Sequence, residues 1–408
     1  MDDHNNPVPS SRRWLALATL SIALVMSMST WFSASAVIPQ LRGLWQLSSS
    51  TSAWLTIAVQ LGFVAGAILS SLINLADIIP ARYVIFGGAV GAAAANFLLG
   101  IAPGAGVGIL LRFATGFFLA GVYPPAFKLM STWFKGSRGV ALGVLAAAIV
   151  IGNGMPHLVK GMGGLEWKLV INVTSGITLL GGLITLLLLR DGPYPFPTAT
   201  FDPRQIGLVF SNRGVRLATA GYVGHMWELF AAYAWFSAFA AHALSVKGIP
   251  SGSIAAYATF AFFVAGGLGC WLGGTLADRW GRAHTTMLMM AFSGTCALTI
   301  GLLLGGSLWI ISAVALIWGF TIVADSAQFS TMVTELADQE YVGTALTLQL
   351  AAGFTVTVAT IWLVPALVDW IGWRWAFALL APGPLLGIWA MRQLQKKLAV
   401  DTAWRPVH

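Results

Sequence analysis

Two ionisable residues stand in the middle of an apolar run, His225 and Glu228 in the stretch GYVGHMWELFAAYAW at 221–235. A charge at a bilayer centre costs about 2.5–3.5 kcal/mol on insertion scales, so residues kept there are functional candidates by default. Three positions apart, the two share a face if the run is helical. A carboxylate and an imidazole so placed can pass a proton or hold polar groups of a solute. The structural alternative is an interhelical hydrogen bond that joins helices and does nothing else. Choosing among these requires knowing whether the run crosses a membrane.

Composition answers that. Of 408 residues, 57% are hydrophobic and only 9% charged, against roughly 25% charged in a soluble domain. There is too little polar residue to coat a soluble core of this size, so the chain is an all-α integral membrane protein. The formal charge of +8 does not point to nucleic acid, because the basic residues sit at the ends of apolar runs and not in a patch with aromatics. Cys270 and Cys296 lie inside apolar runs and read as packing. The N-terminal SSRRWLALATLSIALVMSMSTWFSASA looks like a secretory leader. Its apolar stretch of about 23 residues exceeds the ~7–15 of a leader, so it is read as a retained first span.

Twelve runs are long enough to cross: 14–36, 52–75, 83–102, 105–129, 138–161, 167–189, 216–243, 251–275, 284–304, 307–331, 342–368 and 373–391. The expected organisation is a tail (1–13), a six-helix half (14–189), a central linker (190–215), a second six-helix half (216–391) and a tail (392–408). The linker, RDGPYPFPTATFDPRQIGLVFSNRGV, carries four prolines, and its IGLVF piece suits a membrane surface. With both tails and the linker on one side, that side holds fifteen Lys and Arg, Lys135 and Arg405 among them, against five opposite. The positive-inside rule makes it the cytoplasmic side of an inner (plasma) membrane.

The halves repeat. NLADIIPAR at Asn74 answers TLADRWGRA at Thr275, GVAL at 139–142 answers GTAL at 343–346, and EWK at 166–168 answers GWR at 372–374. Repeat-built carriers place the solute site at the repeat interface near the midplane. The stretch GTLADRWGRA (Gly274–Ala283) resembles the loop signature G-x-L-x-D-R-x-G-R-[KR] of the major facilitator superfamily. Gly274, Leu276, Asp278, Arg279, Gly281 and Arg282 match, and Ala283 departs. The N-half copy keeps only Leu75, Asp77 and Arg82. The resemblance covers the whole chain. It implies two pseudo-symmetric six-helix halves, a loop that latches one face, and a seventh span lining a central cavity where His225 and Glu228 can be hydrated.

Other intramembrane polar residues follow. Arg112, in RFATGFFLAG, resembles the family's fourth-span arginine; it is read either as a solute-binding cation or as a structural arginine near the outer rim, snorkelling to water. Trp318 is expected to line the cavity from the tenth span. Asp325 and Gln328 mark either an inner gate or a helix end. Gln60, Asn153, His157 and Gln349 read as helix–helix glue, and Lys128 as reaching headgroups. The glycines of GVLAAAIVIGNGMP (143–156) suit helix packing.

No ATP-binding loop, zinc spacing or nucleophile elbow is present, so no enzyme, metal or cofactor is expected. The expectation is a proton-coupled carrier, functional as a monomer, of a small anion or zwitterion. Nitrate carriers share the resemblance, but their paired cavity arginines are missing. The rival readings are a proton-driven exporter of drugs or metabolites and a sensor that binds without transport.

Overall fold

The structure is a computed structural model and describes residues 10–134, 137–162, 166–194, 202–338 and 340–403. Most of both tails' ends, the linker core at 195–201, Lys135 and Arg405 lie outside the described residues. Among the described residues there are only helices and turns. A lipid core supplies no hydrogen-bond partners, so an apolar run must satisfy its backbone within itself.

Ten helical runs are long and apolar enough to cross a membrane: Ser11–Trp45, Ser49–Leu72, Ala81–Leu99, Ala105–Ser131, Arg138–Gly161, Trp167–Leu188, Gly252–Trp280, Arg282–Gly305, Leu308–Leu336 and Val342–Ile371. The seventh helix, Arg213–Ser245, and the last, Pro382–Ala403, complete twelve. Odd spans begin on the face that carries the linker, here the linker face; the other is the far face. Large apolar side chains such as Trp309, Trp370 and Leu187 point outward, as a lipid-facing surface requires.

Among the described residues four spans are not continuous helices, the last of them the run read as 373–391, which forms Trp373–Ala376, a tight turn over Phe377–Leu380 and then Pro382–Ala403. The first breaks at a tight turn over Met28–Thr30 and resumes as Ser33–Trp45. It therefore runs well past Ala36, where the sequence reading ended it. The fourth splits into Ala105–Leu119 and Tyr123–Ser131, and the tenth into Leu308–Ala324 and Ser326–Leu336. Fourth and tenth are equivalent positions of the two halves, so that break follows the repeat. The first-span break has no counterpart, because the seventh helix is unbroken.

Within the N-half the second span packs on the fourth; within the C-half the eighth packs on the tenth. Both contacts are backbone to backbone. A methyl group at Gly62 would overlap the carbonyl of Phe113, and one at Gly116 would overlap that of Val59. In the C-half, Gly269 stands the same way against Phe320. The halves meet along two seams, fifth span on eighth and second on eleventh.

The described end of the linker forms a short helix, Ile206–Ser211, with Val209 buried and Leu208 and Phe210 exposed. It is fastened to the C-half. The Asp202 amide donates to Thr344 Oγ1 at 2.9 Å, and Asn212 Nδ2 donates to the Leu336 carbonyl at 2.8 Å. Asn212 Oδ1 also caps the seventh helix by accepting from the Val215 amide at 3.1 Å.

Candidate functional site

His225 and Glu228 lie on one face of the seventh helix and are both buried. They do not pair with each other. Glu228 Oε1 accepts from Trp318 Nε1 at 2.7 Å, and Oε2 accepts from Ser293 Oγ at 2.9 Å. Both donors belong to the C-half, on the tenth and ninth spans. His225 turns to the tenth-span break: its Nδ1 lies 2.9 Å from Asp325 Oδ1, with both side chains 2% exposed. Its Nε2 has no partner among the described residues, and its ring packs near Tyr222 and Phe329. The result is an acid on the seventh span with donors from the ninth and tenth, and an acid–imidazole contact between the seventh and tenth. Trp318, expected on a cavity wall, is fully buried as the donor to Glu228. The face that the seventh helix turns to the N-half is aromatic instead: Phe230 packs on Trp31 and Phe32, and Tyr233 on Phe32.

Arg112 does not snorkel to an outer rim. It is wholly buried, and each guanidinium nitrogen donates to the protein. Nε reaches the Leu55 carbonyl at 3.3 Å, Nη1 reaches the Thr30 carbonyl at 2.9 Å, and Nη2 reaches the Trp31 carbonyl. Thr30 and Trp31 are where the first span breaks, so the arginine takes up carbonyls that the missing helical turn releases. Nη1 also meets Ser33 Oγ and Asn96 Oδ1 at 3.1 and 3.2 Å. Asn96 Nδ2 in turn donates to Ser175 Oγ at 2.9 Å. Five spans are tied through one cation that has no carboxylate among these partners.

In the motif loop, Gly281 has φ +86°, a left-handed backbone suited to glycine. Gly274 meets nothing that a side chain would disturb, so the motif's first glycine has no packing reason here. Arg282 is the hub: Nε reaches Glu335 Oε1 and Oε2 at 2.9 and 3.1 Å, and Nη1 donates to Gln328 Oε1 at 3.0 Å. Asp278 is mostly exposed and only 3.9 Å from Arg282 at its nearest, and Arg279 is exposed. In the N-half copy Arg82 stacks over its neighbour Tyr83 and donates to that hydroxyl at 3.0 Å; the Asp77 side chain lies outside the described residues.

Between the halves the molecule is filled by rings. Trp31, Phe32 and Phe63 of the N-half pack against Phe230, Tyr233, Phe263 and Phe354 of the C-half, with centroids 4.3–6.3 Å apart along the cluster. Gln60 and His157, read from the sequence as glue, have no hydrogen-bond partner among the described residues on any side-chain polar atom, and neither does Trp31 Nε1. Asn153 Oδ1 and Gln349 Nε2 are likewise unpartnered. Sequence reasoning missed Trp31 and the ring layer. The signal was present as aromatic residues on the first, second, seventh, eighth and eleventh spans, but composition does not say which way a ring points. On the far face a cavity of about 500 Å³ opens beside Arg42, Ser49, Ser50, Trp362 and Asp369. Trp362 Nε1 donates to Ser50 Oγ there at 2.8 Å, across the seam.

Twelve spans in two repeated halves, with polar groups buried at and beside the interface, define a helical membrane carrier and not an enzyme. The family model for the Major Facilitator Superfamily matches residues 20–359, and the chain belongs to that family. Solved structures agree in fold. A bacterial homologue of the human lysosomal transporter Spinster, inward-facing and unoccupied, superposes with a TM-score of 0.69 at 15% identity, covering 98% of this chain and 100% of that one. Its occupied form gives 0.70 at 14%, with the same coverage. A variant of the nucleoside transporter NupG gives 0.71 at 12%, covering 94% and 99%. No curated protein sequence matches the chain.

Proposed function

We propose that this transporter is proton-coupled, moves a small solute by alternating access, and carries the proton at Glu228 and the His225–Asp325 contact. The observation behind this reading is the burial of two carboxylates and an imidazole between the seventh and tenth spans, with only neutral donors on Glu228. A buried carboxylate held by an indole and a hydroxyl can take up a proton when the halves part and release it when they close again. The break in the tenth span at Asp325 gives that exchange a mechanical partner, because the two pieces can pivot about it.

The sequence led us to an anion or zwitterion as solute, on the strength of Arg112. Its guanidinium nitrogens are bonded to protein acceptors, so we assign Arg112 to holding the first-span break and seat the solute between the halves. The far-face cavity beside Arg42 and Asp369 serves as the vestibule. We take the linker face as cytoplasmic, on the charge bias of the loops, in an inner membrane, and the monomer as the working unit.

The test uses purified protein in proteoliposomes with a solute chosen by thermal-shift screening. Glu228→Gln is expected to abolish accumulation driven by a pH gradient while exchange of labelled solute continues. A Glu228→Gln protein that still concentrates solute against its gradient would falsify the proton role.

A further inference from the structure

We infer that the solute is an uncharged planar heterocycle with both donors and acceptors on its edge, seated in the ring layer and read by Gln60, His157 and Trp31. This rests on the reading of the chain as a transporter with its solute between the halves, and adds the chemical class.

Three side chains from three different spans carry the inference. Gln60 and His157 are fully buried and Trp31 is 2% exposed, yet among the described residues both polar atoms of Gln60, both ring nitrogens of His157 and Trp31 Nε1 lack a partner. Buried polar groups are nearly always satisfied, and this protein satisfies others fully: Asn96 makes bonds to the first, fourth and sixth spans. An exception of this size, on three spans that are linked through the ring layer, calls for a partner that comes and goes. The links run through the first-span break. Phe63, one turn along the helix from Gln60, packs on Trp31 at 5.0 Å. His157 stacks on Phe263 at 5.9 Å, and Phe263 packs on Phe32, the neighbour of Trp31, at 5.7 Å.

The shape follows from the rings. Phe230, Phe263 and Phe354 of the C-half face Trp31, Phe32 and Phe63. When the halves part, these faces become the two walls of a slot whose width suits a stacked ring. The edge follows from the orphans: an amide offers a donor and an acceptor together, an indole a donor, an imidazole either. The absence of charge on the solute follows from the cations beside the slot, which are already committed to backbone: Arg112 donates to the Thr30 and Trp31 carbonyls. Lys160, one turn beyond His157, gives its ammonium to the Ala36 carbonyl at 2.7 Å.

The experiment is a thermal-shift titration of the full-length protein in detergent with adenine, uracil and nicotinamide, against nicotinate, benzoate, glucose and tetraphenylphosphonium. Melting should rise with at least one of the first three and more with nicotinamide than with nicotinate. Gln60→Leu and His157→Phe should each weaken that hit at least tenfold. Without ligand, neither variant should melt below the parent, because no protein bond is lost. A lower ligand-free melting temperature in both would make these residues glue and overturn the inference. So would hits confined to the anions, glucose or the cation, no hit at all, or unchanged affinity in both variants. Flux separates the two readings: a hit that binds but does not cross proteoliposomes sinks the transport reading alone, and transport of another class sinks only the inference made here.

Discussion

The two halves share a backbone plan and differ in what they bury. In the N-half, the first span breaks, and Arg112 from the fourth span takes up the freed carbonyls. In the C-half the seventh helix is unbroken, and the tenth span reaches it with an indole and a carboxylate, Trp318 and Asp325. One repeat thus solves the join between its first and fourth spans with a cation on neutral acceptors, the other with acids on neutral donors and an imidazole. Each nitrogen of the cation donates to the protein. The acids retain spare lone pairs, and His225 Nε2 is open. The lesson is that a structural repeat conserves where helices meet and leaves free what they say to each other; among the described residues the buried carboxylates, Glu228 and Asp325, both lie in the C-half.

The comparison breaks first, and hardest, at Arg112. Arg112→Leu strands several buried carbonyls at once, each worth about 1–3 kcal/mol when left unsatisfied. We expect a loss on the order of 3 kcal/mol or more, read as a large fall in melting temperature and yield. Little change would mean that the first-span break holds itself. Trp318→Phe keeps the ring and removes one donor to a carboxylate. It should cost about 1.5–3 kcal/mol if Glu228 is ionised and nearer 1 kcal/mol if it is neutral, so melting of Trp318→Phe beside Trp318→Phe/Glu228→Gln reports the charge on that acid. The smallest effect lies at the motif loop. The Arg282–Glu335 pair is partly exposed, and such pairs contribute about 0–1 kcal/mol. Glu335→Gln should leave melting nearly unchanged and make it less sensitive to salt; a large fall would give the pair a structural weight its exposure does not suggest.

The fold was legible because hydropathy measures what a bilayer selects. Twelve spans, the midpoint linker and the half-length repeat all follow from composition along the chain, and the loop motif gave the family. Glu228 and His225 were legible as costly residues at a known depth. Their partners were not, since an i, i+3 spacing gives a shared face without saying which neighbour that face meets. Asp325, read as a gate or a helix end, closes on His225 from another span. Arg112 was left between a solute-binding cation and a rim arginine for a related reason: its acceptors are mostly backbone carbonyls, which every residue has and no sequence marks. The run of hydroxyl residues from Ser27 to Ser35 was the available hint that the first span departs from a plain helix. Gln60 and His157 look the same in sequence as Asn96, and only their surroundings in the fold separate a satisfied amide from an expectant one.

The contact between the second and fourth spans admits not even a methyl group at Gly62 or Gly116, and the eighth and tenth repeat the arrangement at Gly269. For pharmacology this divides the molecule into addresses worth and not worth visiting. No small molecule can prise those welded helices apart, since nothing occupies the contact that it could displace. An inhibitor of this carrier must instead jam the seams, where side chains meet side chains and a ring can be traded for a ring.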